Sequence, residues 1–252
     1  MIVVSMAVIA SRAGNVARIL TNLERQTYPP DKVLLYYSSS PWHHDEGISH
    51  LEIPKTRLDV ETVKVPNRGS CRKYLFSAER YRYTDASILL LDDDLIFDHR
   101  LIEILHDHQN EYRRVVGTRG WSQFEIVKDE NGEKIFRRPK ATATIIGDEI
   151  FKPTEVIVTS SGWATMFYAK DIDERMFNKE LQESVQLRYS DEVFLAAMLP
   201  MSKFIIPMPH SFRRRLPVQK VLKNAPETPR AKALQAELLG AKVIARAETC
   251  LI

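Results

Sequence analysis

The stretch Ser87-Ile88-Leu89-Leu90-Leu91-Asp92-Asp93-Asp94-Leu95-Ile96-Phe97 constrains the fold more than any other part of this 252-residue chain. The apolar run from Ile88 to Leu91 predicts a strand buried on both faces, as in the parallel sheets of α/β proteins. It ends on three consecutive carboxylates. Adjacent carboxylates repel one another and are costly to desolvate, so the mouth of such a strand needs a compensating cation. A hard divalent ion, Mn²⁺ or Mg²⁺, would supply it, because such ions prefer oxygen ligands. Ligands of open α/β sheets gather at the carboxyl ends of the strands. The competing reading is a solvated acidic turn, with Asp98 as the N-cap of a helix over residues 100–108. The core strand in front of the triplet favours the metal site.

The flanking chain predicts a doubly wound α/β domain. Residues 2–9 form the first strand, and Val16, Ile19, Leu20 and Leu23 then recur at helical spacing. Ser11 and Arg12 sit at that strand's carboxyl end, where a nucleotide phosphate or base could meet them. An ordinary strand-to-helix turn would also account for them. Pro29 and Pro30 stop the helix. Residues 32–37 and 58–65 predict the second and third strands. His43, His44 and His50 lie between them in a stretch read as a solvated loop. A helix follows from Ser70, its predicted N-cap, to about Tyr81. Arg68, Arg72 and Lys73 place positive charge at the start of this helix, where a diphosphate would be a natural guest. The alternative is a charged surface turn.

Beyond the triplet, residues 101–112 predict a helix and Val115-Val116 a short strand. Residues 123–136 predict a hairpin turning at Asn131-Gly132. Strands are expected at 156–158, 164–168 and 203–206. Ser190 is the expected N-cap of an apolar helix carrying Asp191 and Glu192 in its first turn. That is ordinary capping, but it also presents a carboxylate suited to general-base work. His210, following the last strand, is a candidate metal ligand. Residues 1–223 are expected to form the main domain. Residues 224–252 are expected to form a linker and a terminal helix over 230–247.

Net charge is only +3, so bulk charge gives no argument for a nucleic-acid partner, although Arg213-Arg214-Arg215 is a local cluster suited to gripping phosphate. Cys71 and Cys250 show no metal or disulfide spacing and fit a reducing compartment, with the protein in the cytoplasm or peripheral to a membrane. The apolar start is too short to be a transmembrane segment, and no later stretch is long enough.

Taken in order, these pieces resemble a known family. Asn67-Arg68-Gly69 precedes a helix, and Leu89-Leu90-Leu91 runs into Asp92-Asp93-Asp94. Ser160-Ser161-Gly162-Trp163 follows, and then Ser190-Asp191-Glu192. Over residues 1–212 the chain looks like a GT-A glycosyltransferase related to family 2 and to the exostosin-like transferases. The resemblance implies a Rossmann-like, mostly parallel sheet flanked by helices. It implies a nucleotide-sugar donor, usually a UDP-sugar, with Mn²⁺ bridging its diphosphate to the triplet. The acceptor would be a hydroxyl of a glycan or glycoconjugate. Asp94 matches the metal-ligand position, with Asp92 and His210 as companions. Asp92 and Asp93 match positions that contact ribose or sugar. Asp191 or Glu192 matches the base of inverting members. Two departures stand out. Ser38-Ser39-Ser40 replaces an aspartate that contacts uracil, and the acidic pair is Asp-Glu rather than Glu-Asp. The competing functions are a nucleotidyltransferase and a non-catalytic nucleotide-sugar or glycan-binding module.

Overall fold

The structure is a computed structural model, and it describes residues 1–137, 144–216 and 227–249. Its centre is an eight-stranded sheet. In chain order the strands are β1 (Ile2–Ala7), β2 (Lys32–Tyr37), β3 (Val60–Lys64), β4 (Ser87–Asp92), β5 (Val115–Gly117), β6 (Thr154–Val156), β7 (Trp163–Tyr168) and β8 (Lys203–Ile205). Across the sheet they run β6-β8-β5-β7-β4-β1-β2-β3. β3, β2, β1 and β4 are mutually parallel, as are β5 and β8. β7 runs antiparallel between β4 and β5, and β6 runs antiparallel at the edge. This is the mostly parallel α/β sheet that the sequence predicts.

Helices α1 (Val16–Glu24), α2 (Arg72–Tyr81), α3 (Leu101–Tyr112), α4 (Lys179–Ser184), α5 (Glu192–Met198) and α6 (Thr228–Thr249) flank the sheet. β4 is buried on both faces, and its side chains alternate between two cores. Leu89 and Leu91 join the α1 and α3 residues Ile19, Leu23, Leu101 and Leu105. Ile88 and Leu90 join Tyr74 and Ala78 of α2 and Phe194 of α5. Each such side chain contributes about 1.5–3 kcal/mol of burial. The two-sided demand explains why the run is uniformly apolar rather than alternating.

Local signals fare well where the bonding is local. The hairpin forms between Glu125–Lys128 and Lys134–Arg137, with Gly132 at φ +77° and the Asp129 carboxylate accepting from the Asn131 and Glu133 amides. Asp98 accepts from the Arg100 amide in the turn before α3, but Arg100 and not Asp98 holds the N-cap position. Three further expectations need correcting. Residues 156–158 are not one strand, because Val156 ends β6 while Val158–Thr159 pairs with Arg119–Trp121 in a small second sheet. Ser70 does not cap α2: a 3₁₀ turn over Gly69–Cys71 leads into the helix. Ser190 does not cap α5; it is extended, its hydroxyl is buried without a hydrogen bond among the described residues, and Asp191 takes the capping position. The expected boundary at residues 223–224 lies outside the described residues.

Candidate active site

The triplet's three carboxylates face three cations, with Asp93 and Asp94 sharing Arg12. Asp92 ends β4 beside Ala7 of β1, and its amide donates to the Gly162 carbonyl at 3.2 Å. Its carboxylate accepts from Lys73 Nζ at 2.7 Å. Asp93 is buried and accepts from the Ile9 amide at 3.0 Å and from Arg12 Nη1 at 2.8 Å. Asp94 lies 3.3 Å from Arg12 Nη2 and 3.7 Å from Arg215 Nε. Burial pushes the Asp93 carboxyl up to about 6, against the pull of Arg12, and it also raises Asp94.

Lys73 reaches Asp92 because the β3–α2–β4 crossover starts its helix at the carboxyl edge of the sheet. Its carbonyl is held by the Ser5 hydroxyl at 2.5 Å. Its side chain is only 2% exposed, and Nζ also lies 3.5 Å from Asp191 Oδ2. Burial alone would lower this ammonium, but the charges of Asp92 and Asp191 more than offset it and keep it protonated. Lys73 therefore joins the triplet to the acidic pair, although the two are far apart in sequence.

The Ser160-Ser161-Gly162 turn completes the arrangement. The Ser161 hydroxyl donates to Asp191 at 2.8 Å and the Ser160 hydroxyl to Glu192 at 2.5 Å. Burial raises the Asp191 carboxyl, but Lys73, Ser161, Lys232 and Ser70 together bring it below the usual range. Lys232 of α6 stands 3.8 Å from Glu192. α6 is anchored nearby by Gln235, whose amide donates to the Val185 and Ser190 carbonyls at 3.2 Å each. Beside Gly162, the Trp163 ring lies 3.6 Å from the Arg213 guanidinium and 4.2 Å from that of Arg119. Both are cation–π contacts.

The structure corrects the charge argument made from the sequence. The cations that offset the triplet are Arg12, Lys73 and Arg215, so acidic charge alone does not require an external ion. Lys73, expected to meet a diphosphate, is spent on two carboxylates. Arg12 is likewise spent on Asp93 and Asp94. Ser11 lies half-buried in the turn after β1. Arg68 does not join the ion-paired cluster; it lines a neighbouring cavity. His210 is exposed on the chain between β8 and the Arg213–Arg215 strand, which pairs with Leu95–Phe97. Among the described residues, no three His, Cys, Asp or Glu side chains are grouped to hold a metal ion.

Sequence reasoning missed several residues here. Asp45, in the histidine loop, is buried and paired with Arg72 at 3.0 Å, and it also accepts from the Ala10 amide. Gly47, at φ +83° two residues on, was the available signal for a tight acidic turn. Lys232 and Gln235 carry no local signal, because their partners lie in another part of the chain.

Gly162 shows how tightly the site is closed. A Cβ built there would stand 1.8 Å from Asp92 Oδ2, so the Asp92 side chain has to turn away to admit it. Gly162→Ala is expected to displace Asp92 from Lys73 and to destabilise the fold by about 1–3 kcal/mol, as overpacking does. Urea unfolding checks this, and an unchanged midpoint would contradict it.

No family model matches the sequence, and no curated protein matches it. The fold has counterparts among solved structures. S. aureus TarS 1–349 in complex with UDP-GlcNAc is 8% identical, with a TM-score of 0.58, covering 96% of this chain and 66% of that one. TarS 1–349 with UDP is 10% identical, with a TM-score of 0.50 and coverages of 96% and 65%. The chain thus spans a little under two-thirds of these proteins. Mannosyltransferase PcManGT from Pyrobaculum calidifontis, in complex with GDP-Man and Mn²⁺, is 13% identical at a TM-score of 0.43, covering 98% and 75%. Identities this low establish the shared α/β fold and nothing further. Among the described residues, no helix is long and apolar enough to cross a membrane.

Proposed function

We propose that this protein transfers a sugar from a nucleotide-sugar donor, a UDP-sugar being the leading candidate, to a hydroxyl of a glycan or glycoconjugate. The observation that carries this reading is the Lys73 bridge. It sets a carboxylate held ionised, Asp191, beside the triplet at the carboxyl end of β4. That is where ligands of such sheets bind. The fold shared with TarS, a structure holding UDP-GlcNAc, supports the same reading.

In an inverting transfer, Asp191 takes the proton of the acceptor hydroxyl. The acceptor oxygen bonds to the anomeric carbon as the bond to the diphosphate oxygen breaks, and its electron pair leaves with the diphosphate. Arg215 is 60% exposed and only loosely paired to Asp94, so it is the cation freest to meet that leaving charge. Mn²⁺ or Mg²⁺ is the ion that the resemblance implies. Asp94 and Asp92 suit it as a partial set, because such ions take one or two carboxylates and complete their coordination with water and substrate oxygens. Bound there, the ion would further offset charge on the diphosphate. His210 is exposed and enters no such set among the described residues.

The test is to incubate the protein with a panel of nucleotide sugars and glycan acceptors and identify what is released. Nucleoside diphosphate supports glycosyl transfer. Pyrophosphate indicates a nucleotidyltransferase, and binding without release indicates a non-catalytic module. A second measurement concerns Asp94. Wild type is expected to gain melting temperature with UDP and Mn²⁺, and Asp94→Asn to lose most of that gain while folding normally. An undiminished gain would remove Asp94 from donor binding.

A further inference from the structure

One cavity lies outside the ion-paired cluster and is lined by residues next to Asp191 and Lys73 in the chain. It encloses about 320 Å³, near the lower end of the range for ligand pockets, about 300–1,000 Å³. Trp42 and Tyr189 line it, with ring centroids 5.3 Å apart and planes tilted by 59°. Arg68, Gln182, Glu183 and Gln186 supply its polar groups.

Gln186 is unusual in two respects. Its backbone is left-handed, at φ +50°, a conformation that costs a non-glycine residue free energy and concentrates at functional sites. Its side-chain carbonyl oxygen is buried and accepts no hydrogen bond among the described residues. An acceptor left in that state is costly, so turning this side chain to meet a donor from a ligand in the cavity would be favoured.

Two turns join the cavity to Asp191. Arg68 and Cys71 line the cavity, and Ser70 between them is one of the groups that lower the Asp191 carboxyl. Tyr189 lines it from two residues before Asp191. A ligand filling the cavity would therefore have the segment that carries the candidate base along one wall. It must offer an apolar face to two aromatic rings and hydroxyl donors to an orphan amide oxygen. The Arg68 guanidinium and the Glu183 carboxylate in the wall balance in charge, which suits a neutral ligand.

We propose that this cavity is the acceptor subsite and holds one neutral pyranose ring of the acceptor glycan. The C–H face of the ring lies against Trp42 and Tyr189, one hydroxyl donates to Gln186 Oε1, and another is turned towards Asp191. The proposal rests on the glycosyl-transfer reading above and adds to it the place of the acceptor ring, its neutral charge and the residues that select it.

Saturation-transfer NMR tests it without depending on turnover. The probes are methyl β-D-glucopyranoside and methyl N-acetyl-β-D-glucosaminide, with uridine as comparison, on the full chain. Wild type is expected to saturate the ring protons of at least one glycoside at millimolar concentration. Trp42→Ala is expected to weaken that binding about tenfold. Gln186→Gly is expected to weaken it about fivefold. Glycine adopts φ +50° without strain, so this variant retains its fold even if Trp42→Ala does not. The proposal is overturned if neither glycoside is saturated by wild type, if Gln186→Gly binds as wild type does, or if uridine competes the glycoside out. The transfer reading itself fails differently, by wild type releasing no nucleoside diphosphate from any nucleotide sugar.

Discussion

Asp191→Asn is expected to lower turnover by about 10²–10⁴-fold while leaving donor affinity nearly unchanged. The amide keeps the shape of the carboxylate and its contact with the Ser161 hydroxyl, but it cannot accept a proton from an acceptor. Glu192→Gln is expected to cost far less. Glu192 is bonded to Ser160 and faces Lys232, and it has no link to the triplet comparable to the Lys73 bridge. The pH profile adds a second check. The Asp191 carboxyl is held below the usual range by Lys73 and its hydroxyl partners, which outweigh burial. A base so placed stays ionised as pH falls, and its contribution disappears only when pH passes below its depressed value. The acid limb of kcat at saturating donor is therefore expected below about pH 4, the ordinary aspartate value. A larger loss in Glu192→Gln than in Asp191→Asn would transfer the role to Glu192.

Lys73→Met is expected to be the most destabilising single change in the site, at about 3 kcal/mol. Removing one partner of a buried ion pair leaves the other charge uncompensated, which costs about 3–5 kcal/mol where both partners are dry. Here the Asp92 side chain is 35% exposed, so water recovers part of that cost and the lower end applies. Methionine fills the slot without supplying charge, which separates the electrostatic loss from a cavity. Adding Asp92→Asn to Lys73→Met should restore part of the stability, because the repulsion between Asp92 and Asp191 is then relieved. Urea midpoints for the cycle of variants measure this. A loss below about 1 kcal/mol, with no recovery in the double variant, would show that the bridge is incidental.

The buried strand, the hairpin and the broad α/β order were legible because each is written in a short run of residues. Ile88 to Leu91 announces two-sided burial, and Asn131-Gly132 announces its own turn. Ser190 misled because capping depends on backbone geometry. Its polar side chain before an apolar run carries the right chemistry, but the chain there is extended and the turn begins one residue later. The site itself was half legible. Carboxylates at the end of β4 identified its place, yet not their partners. Whether an acidic triplet meets a metal ion or the chain's own cations depends on what the crossover and the β1–α1 turn bring alongside. Arg12 and Lys73 were recognised as basic residues at strand and helix ends, but nothing local shows that each faces two carboxylates. Asp45 was overlooked because three histidines around it drew the chemistry of that loop elsewhere.

The position of α6 has a consequence for the order in which the protein becomes competent during synthesis. The chain leaves the ribosome from the amino end, and the sheet from β1 to β8 can pair once Ile205 is clear. Lys232 and Gln235 arrive later, and only then do the Glu192 carboxylate and the Val185 and Ser190 carbonyls gain those partners. A nascent chain stalled before residue 228 would thus carry its triplet, Lys73 and Asp191 on a formed sheet, with the turn that holds the acidic pair still unsupported from behind. Support for the acidic pair thus arrives with α6, after the strand that bears the carboxylates.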